Sequence, residues 1–323
     1  MKMNSKNTSD LLVLYQKMLQ LRFFDDMCRE LKMKDLIWSG YHPYTGQEAV
    51  AAGACSQLRQ DDVLLGNHRS HCHAVAKGSS PRIILSEMMG RQSGASGGLG
   101  GAMQFIHAEN NFFCGSIVGS NIPIAAGMAF AMKEQGTDRV CMCLFGDGAS
   151  NTGSFHEGLN LAALWKLPVV YILENNQFAE AMPVGESVAC HPLSKRARAY
   201  DLEEITIDGN DIEVVFQATA KAIAKARAGG GPSLIEAFTY RVRGHYVGDP
   251  ENTYRTKDEV EQWKKKCPIK RCKSKLLELG FSELQLDDLE KEITSQLEED
   301  KSWVLDQPFA TFKQATDNVW IPL

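Results

Sequence analysis

Two oxygen-bearing side chains stand where ligand chemistry is readily assembled. Asp147 lies in Gly146-Asp147-Gly148-Ala149, and Asn176 in Glu174-Asn175-Asn176. Each follows an apolar run, residues 140–145 and 169–173, long enough for a buried strand and too short for a typical helix. Between them, residues 154–166 place Phe155, Leu159, Ala162, Ala163 and Trp165 or Lys166 at roughly helical spacing, and Leu167-Pro168 stops that helix. Such a strand–helix–strand unit makes the strands parallel neighbours with a right-handed crossover. Open α/β sheets bind ligands at the carboxyl ends of their strands. A carboxylate and an amide oxygen are hard donors that suit magnesium, which takes one or two protein carboxylates and fills its octahedron with phosphate oxygens and water. Gly146 and Gly148 let backbone approach a phosphate, and the amino terminus of the following helix favours an anion. The predicted ligand is a magnesium-bound diphosphate.

Other readings of the glycines are weaker. A P-loop needs Gly-Lys-Ser/Thr, which is absent. A dinucleotide fingerprint needs G-x-G-x-x-G and an acidic residue about 20 positions on; here Gly146, Gly148 and Gly153 are followed by a strand ending in Glu-Asn-Asn. A plain tight turn would explain Gly-Asp-Gly alone, but not its pairing with Asn-Asn one crossover later.

That pairing resembles the thiamine diphosphate motif. The segment FHEGLNLAALWKLPVV resembles the alpha subunit of the first component of pyruvate and acetoin dehydrogenase complexes, and the likeness runs from about Leu21 to Arg255. It implies an α/β thiamine diphosphate-binding fold, a parallel sheet flanked by helices. In it, Asp147 and Asn176 hold magnesium with the main-chain oxygen of Phe178. It implies that Arg69 and Arg241 grip the diphosphate, with His68 before the first of them. Backbone at Ser116 and Val118 would hold the aminopyrimidine. His42, His71 and His245 would stand at the reacting centre. Leu99 and Gln104 replace a lysine and a histidine of the family's glycine-rich loop, and Tyr246 stands where animal pyruvate enzymes carry a phosphorylated serine.

The implied activity is cleavage of the bond next to the carbonyl of a small ketone, pyruvate-type or acetoin, with the acyl unit passed to a lipoyl acyltransferase. The departures at Leu99 and Gln104 motivate an alternative, acyl transfer to a non-lipoyl acceptor; a nicotinamide-binding dehydrogenase is the remote one. Thr45 and Glu48 form a T-x-x-E capping box opening a helix through residue 58, so Glu48 is read as structural. The resemblance also implies that the activating glutamate comes from a different subunit. The implied assembly is an α2β2 heterotetramer in which a beta subunit supplies the pyrimidine half.

The rest of the chain frames this unit. Residues 10–36 predict an amphipathic helix pair, packing on the core or on a partner, and glycine-lined helices such as the one from Asn121 are further contact surfaces. Strands are expected at 63–65, 203–207 and 233–239, and helices at 81–89, from Asn121, and at 211–228. The glycine-rich stretch 90–103 reads by composition as a flexible linker. His68, His71 and His73 cluster without the spacing that completes a metal site. The expected division is an N-terminal helical segment (1–60), the diphosphate-binding domain (61–256) and a C-terminal helical segment (257–323). Net charge is −5, so neither nucleic acid nor an anionic membrane is an expected partner. Nine cysteines without a C-x-x-C pair, no signal peptide and no long apolar run suggest a cytoplasmic protein.

Overall fold

The computed structural model describes residues 5–317. In chain order come α1 (Ser5–Met33), α2 (Glu48–Cys55), β1 (Val63–Gly66), α3 (Ser70–Lys77), α4 (Pro81–Met88), β2 (Ile106–His107), β3 (Phe112–Cys114), α5 (Asn121–Glu134), β4 (Cys141–Gly146), α6 (Gly153–Leu164) and β5 (Val169–Asn175). Then follow β6 (Phe178–Ala179), β7 (Met182–Pro183), α7 (Val184–Ser187), β8 (Glu204–Asp208), α8 (Ile212–Arg227), β9 (Ser233–Phe238), α9 (Lys257–Lys264), α10 (Pro268–Glu278), α11 (Glu283–Leu305) and α12 (Phe312–Asp317).

Seven strands form one sheet in the order β2-β3-β1-β4-β5-β9-β8. All pairings are parallel except β2 with β3, an antiparallel edge. These two strands have two and three residues, too few for a sequence period to show. The central strands read as continuous apolar runs because both faces are covered. Met142, Leu144, Val170 and Ile172 join one hydrophobic cluster, while Cys141, Cys143, Phe145, Val169, Tyr171 and Leu173 join the other, on the opposite face.

The expected helix pair at the amino end is a single helix, α1. No glycine or proline interrupts residues 5–33, so nothing forces a break. Leu14, Met18, Leu21 and Phe24 are buried in the same cluster as Leu276 and Val304 from α10 and α11. The helical extensions thus share the core of the sheet, and the buried face of α1 is taken up within this chain. On the other face, α5 and α6 meet closely at Gly158, where a Cβ would stand 2.8 Å from Ile122 Cγ2 and 2.9 Å from Pro123 N. Gly158→Ala is expected to destabilise the chain by about 2 kcal/mol through overpacking, read as a lowered urea midpoint with unchanged slope.

Register brings the strand tips level. Gly146 lies beside Glu174, and Asn175 beside Phe238, so Asp147, Asn176 and the segment after β9 leave the sheet at one edge. Thr239 N donates to Asn175 O at 2.9 Å and Arg241 N to Asn176 O at 3.4 Å. Further along, Val242 N bonds Thr45 O and Val247 N bonds Tyr41 O, both at 3.1 Å, clipping the 240–247 loop to the 41–45 loop. Among the described residues no helix is long and apolar enough to cross a membrane.

Candidate active site

The strand tips open on a cavity of about 380 Å³. His42, His68, Arg69, Ser116, Val118, Gly146, Asp147, Gly148, Ala149, Asn176, Phe178 and His245 all line it, and so do Asn67, Met103 and Glu180, which the sequence did not single out. Arg241 stands behind the lining, fully buried, its guanidinium carbon 5.8 Å from the Phe178 ring centroid. One electrostatic expectation is corrected. Asp147–Asn151 is a 3-10 turn, and α6 begins only at Gly153 with Thr152 as its cap. The first turn of α6 does not line the cavity, so Asp147 is presented by the 3-10 turn and the helix dipole acts from farther away.

The polar groups here are incompletely paired. Asp147 Oδ1 accepts from Gly148 N at 2.7 Å, while Oδ2 is buried without a partner among the described residues. Burial pushes this carboxyl up to about 6, against the stabilising pull of the Gly148 N–H and Arg241. Arg241 Nη2 donates to Glu180 O at 2.8 Å and Tyr254 Oη at 3.0 Å, but its Nε and Nη1 are buried without acceptors among the described residues. Arg69 Nη2 donates to His245 O at 3.1 Å, and Nη1 to Pro43 O. Burial and then the like charge of Arg241 bring Arg69 down to about 9. The Asn176 amide is held by its nitrogen, which donates to Gln47 Oε1 at 3.1 Å; Oδ1 has one long contact, 3.4 Å from Phe178 N. Folded proteins leave few buried polar atoms unpaired. A spare carboxylate oxygen, a lightly used amide oxygen and two crowded guanidinia fit a hard divalent cation and a diphosphate together.

Three imidazoles form another part of the cavity wall. The ring centroid of His42 is 4.7 Å from that of His68 and 4.9 Å from that of His245. His42 is partly buried rather than exposed, because the 240–247 loop covers it. Burial, followed by the Arg69 charge, pushes His42 down to about 3, His245 to about 2 and His68 well below its ordinary value. All three are neutral near pH 7, each with one ring nitrogen to donate and one to accept. His42 Nδ1 and His68 Nε2 are buried without partners among the described residues. The nitrogen donors of the three lie within 4.8 Å of one another, an imidazole set that suits a transition metal rather than a hard cation.

His71 does not reach this wall. It is buried elsewhere, Nε2 2.8 Å from Asp25 Oδ1 and 3.0 Å from Tyr41 Oη. α3 starts at Ser70, so helical rotation sends His68, His71 and His73 different ways; His73 Nε2 lies 3.2 Å from Glu174 Oε1. The capping box is also absent. Thr45 gives its N–H (2.9 Å) and hydroxyl (2.6 Å) to Asp25 Oδ2, and Glu48 pairs with Arg22 at 2.6 Å. α2 therefore starts at Glu48 without a side-chain cap and ends at Cys55. Asp25, unremarked in the sequence, also accepts from Tyr41 Oη at 2.6 Å and Tyr44 N at 2.9 Å. This carboxylate on α1 fixes the loop that carries His42 and offers the Pro43 carbonyl to Arg69.

The glycine-rich stretch is ordered rather than a linker. Glu87 on α4 accepts the N–H groups of Ser96, Gly98 and Gly100 at 2.7, 2.9 and 2.6 Å. From its end, Gln104 Nε2 donates to Ser116 Oγ at 2.7 Å, so this departure touches a cavity-lining residue; Leu99 does not line the cavity.

A mostly parallel α/β sheet with paired oxygen donors at neighbouring strand tips and arginines behind them defines a thiamine diphosphate-binding fold. The family model "Dehydrogenase E1 component" matches residues 15–313. The chain belongs to this family of thiamine diphosphate-dependent oxidoreductases. It is 41% identical over 312 residues to the alpha subunit of acetoin:2,6-dichlorophenolindophenol oxidoreductase of Bacillus subtilis, covering 96% of this chain and 93% of that one. It is 39% identical to the pyruvate dehydrogenase E1 component subunit alpha of Porphyra purpurea (92% and 89% covered), and 38% to that of Rhizobium meliloti (88% and 82% covered). Nothing in this membership supports the nicotinamide reading.

Proposed function

We propose that this chain is the alpha half of a two-chain dehydrogenase that cleaves the bond next to the carbonyl of acetoin or of a pyruvate-type 2-oxo acid. The carrying observation is that Asp147, whose Oδ2 is buried and unpaired among the described residues, lines the same cavity as Asn176, with the idle N–H groups of Arg241 behind. Asp147, Asn176 and the carbonyl of Phe178 would hold magnesium. Arg69 and Arg241 would take the diphosphate, and backbone at Ser116 and Val118 the aminopyrimidine. When bound, thiamine diphosphate supplies the electron sink for the bond cleavage. His42, His68 and His245 then orient the ketone and hold or move its proton at a ring nitrogen, their neutrality permitting either role. His71 acts only through Asp25 and the 41–45 loop.

Two features support a beta subunit. Glu48 and Glu174 are tied up internally, the first by Arg22, the second by Tyr44, Asn67 and His73. Among the described residues this leaves no buried glutamate on the cavity wall to activate a pyrimidine. Exposed apolar side chains also run from the cavity rim onto α5 and α6: Ile117, Val118, Ile124, Phe130, Leu164 and Trp165. Such a patch marks an interaction surface. The proposal extends to a lipoyl acyltransferase as acyl acceptor, a cytoplasmic location consistent with nine free thiols, and segments 1–60, 61–256 and 257–323 as the working divisions. Calorimetry on the chain co-expressed with its beta subunit tests it. Thiamine diphosphate should bind only with magnesium, and turnover with a lipoyl acceptor should need both chains. Binding of NAD without thiamine diphosphate would remove the proposal.

A further inference from the structure

Among the described residues, only two that line the cavity carry carboxylates, Asp147 and Glu180. Asp147 is buried, whereas Glu180 is exposed and stands at the mouth. Glu180 and Ala181 make the turn between β6 and β7, and Glu180 has a left-handed φ of 55°. Hairpin turns place glycine or asparagine at such positions because a larger side chain strains them. The tip is nonetheless held from several sides. The β6–β7 pairing closes it. Arg241 Nη2 donates to the Glu180 carbonyl at 2.8 Å. The neighbouring Ala179 lies so close to Gly148 that a Cβ there would be 2.9 Å from Ala179 Cβ. The carboxylate itself makes no hydrogen bond or ion pair with any described residue. A strained backbone held this firmly, with an unpaired charge at a cavity mouth, serves a ligand better than it serves the fold.

We infer that Glu180 is a specificity-determining residue that turns anionic 2-oxo acids away from the cavity and accepts a hydrogen bond from the hydroxyl of an uncharged 2-hydroxy ketone. The inference rests on the proposed function and narrows its substrate class. The charge inventory favours it. Among the described residues, Arg69 is the only arginine or lysine that lines the cavity; the proposed function gives it and Arg241 behind it to the diphosphate, while burial keeps the three imidazoles neutral. Among the described residues, no other positive charge on this wall then remains for a substrate carboxylate, and Glu180 adds repulsion. A hydroxy ketone instead meets neutral ring N–H donors for its carbonyl and a carboxylate acceptor for its hydroxyl.

The test uses the reconstituted two-chain holoenzyme with thiamine diphosphate and magnesium, comparing kcat/KM for acetoin and pyruvate by dye reduction. The wild-type pair should favour acetoin. Glu180→Gln keeps the shape and removes the charge, so it should move the ratio about tenfold toward pyruvate, chiefly through KM, with cofactor affinity unchanged. Glu180→Ala should raise the KM for acetoin as well, because the acceptor is lost. A wild-type preference for pyruvate, or a ratio unmoved in Glu180→Gln, overturns the inference while the proposed function stands. A wild-type pair that turns over neither substrate overturns both.

Discussion

Asp147→Asn in the two-chain enzyme is expected to lower the magnesium-dependent affinity for thiamine diphosphate by about a hundredfold or more, roughly 3 kcal/mol, and to abolish measurable turnover. The amide keeps the volume and the Oδ1 acceptor for Gly148 N, but removes the charge that the cation needs. The same substitution should not weaken the chain without cofactor. Burial pushes the Asp147 carboxyl up to about 6. A carboxyl whose folded value is raised takes up protons more readily when folded, so its ionised form costs stability at pH 7 and that cost disappears as pH falls below the unfolded carboxylate range. The substituted amide is free of this cost, so the ligand-free melting temperature at pH 7 should stay level or rise while the cofactor-induced shift is lost. Opposite signs with and without ligand separate a ligand-holding role from a structural one. A uniform loss of stability in both states would refute the assignment.

Asp25→Asn is the second large effect. The carboxylate collects hydrogen bonds from Tyr41, Tyr44, His71 and Thr45 at 2.6 to 2.9 Å. An amide turns one of its two ends into a donor facing donors, which leaves buried groups unpaired at a cost of about 3–5 kcal/mol. The 41–45 loop then loses its anchor, and with it the placement of His42 and of the Pro43 carbonyl that holds Arg69. Turnover is expected to fall by about tenfold or more even in the properly folded fraction. His71, Thr45 and Tyr41 hold Asp25 well below the usual carboxylate range despite burial. Its stabilisation is therefore complete above the unfolded carboxylate value and is lost as pH falls through the folded one. The gap between wild type and Asp25→Asn in urea titrations should be full at neutral pH and narrow only in strong acid. A gap independent of pH down to strong acid would point to packing alone.

The local part of this protein is legible in its residues alone. Asp147 and Asn176 each follow their own apolar strand, and one helix-length crossover suffices to make those strands neighbours. Their meeting follows from short-range patterning and the handedness of parallel connections. The hardness of their oxygen donors is a property of residue type, legible before any fold. Arginine is a phosphate-binding residue type and the 240–250 loop follows a strand tip, but the particular roles of Arg69 and His245 come from family likeness.

The remaining placements come from packing across the whole chain. His68 and His71 are three residues apart and chemically identical, yet one lines the cavity and the other is buried against Asp25, because a helix starts at Ser70 between them. Thr45 has the spacing of a cap, but Asp25, twenty residues earlier, takes its hydroxyl instead. Arg241, Tyr254 and Glu180 meet only because β5 and β9 pair in one register. Such choices depend on which buried partner competes best for a polar group, and that competition is settled by the packing of the whole core rather than by any stretch of chain.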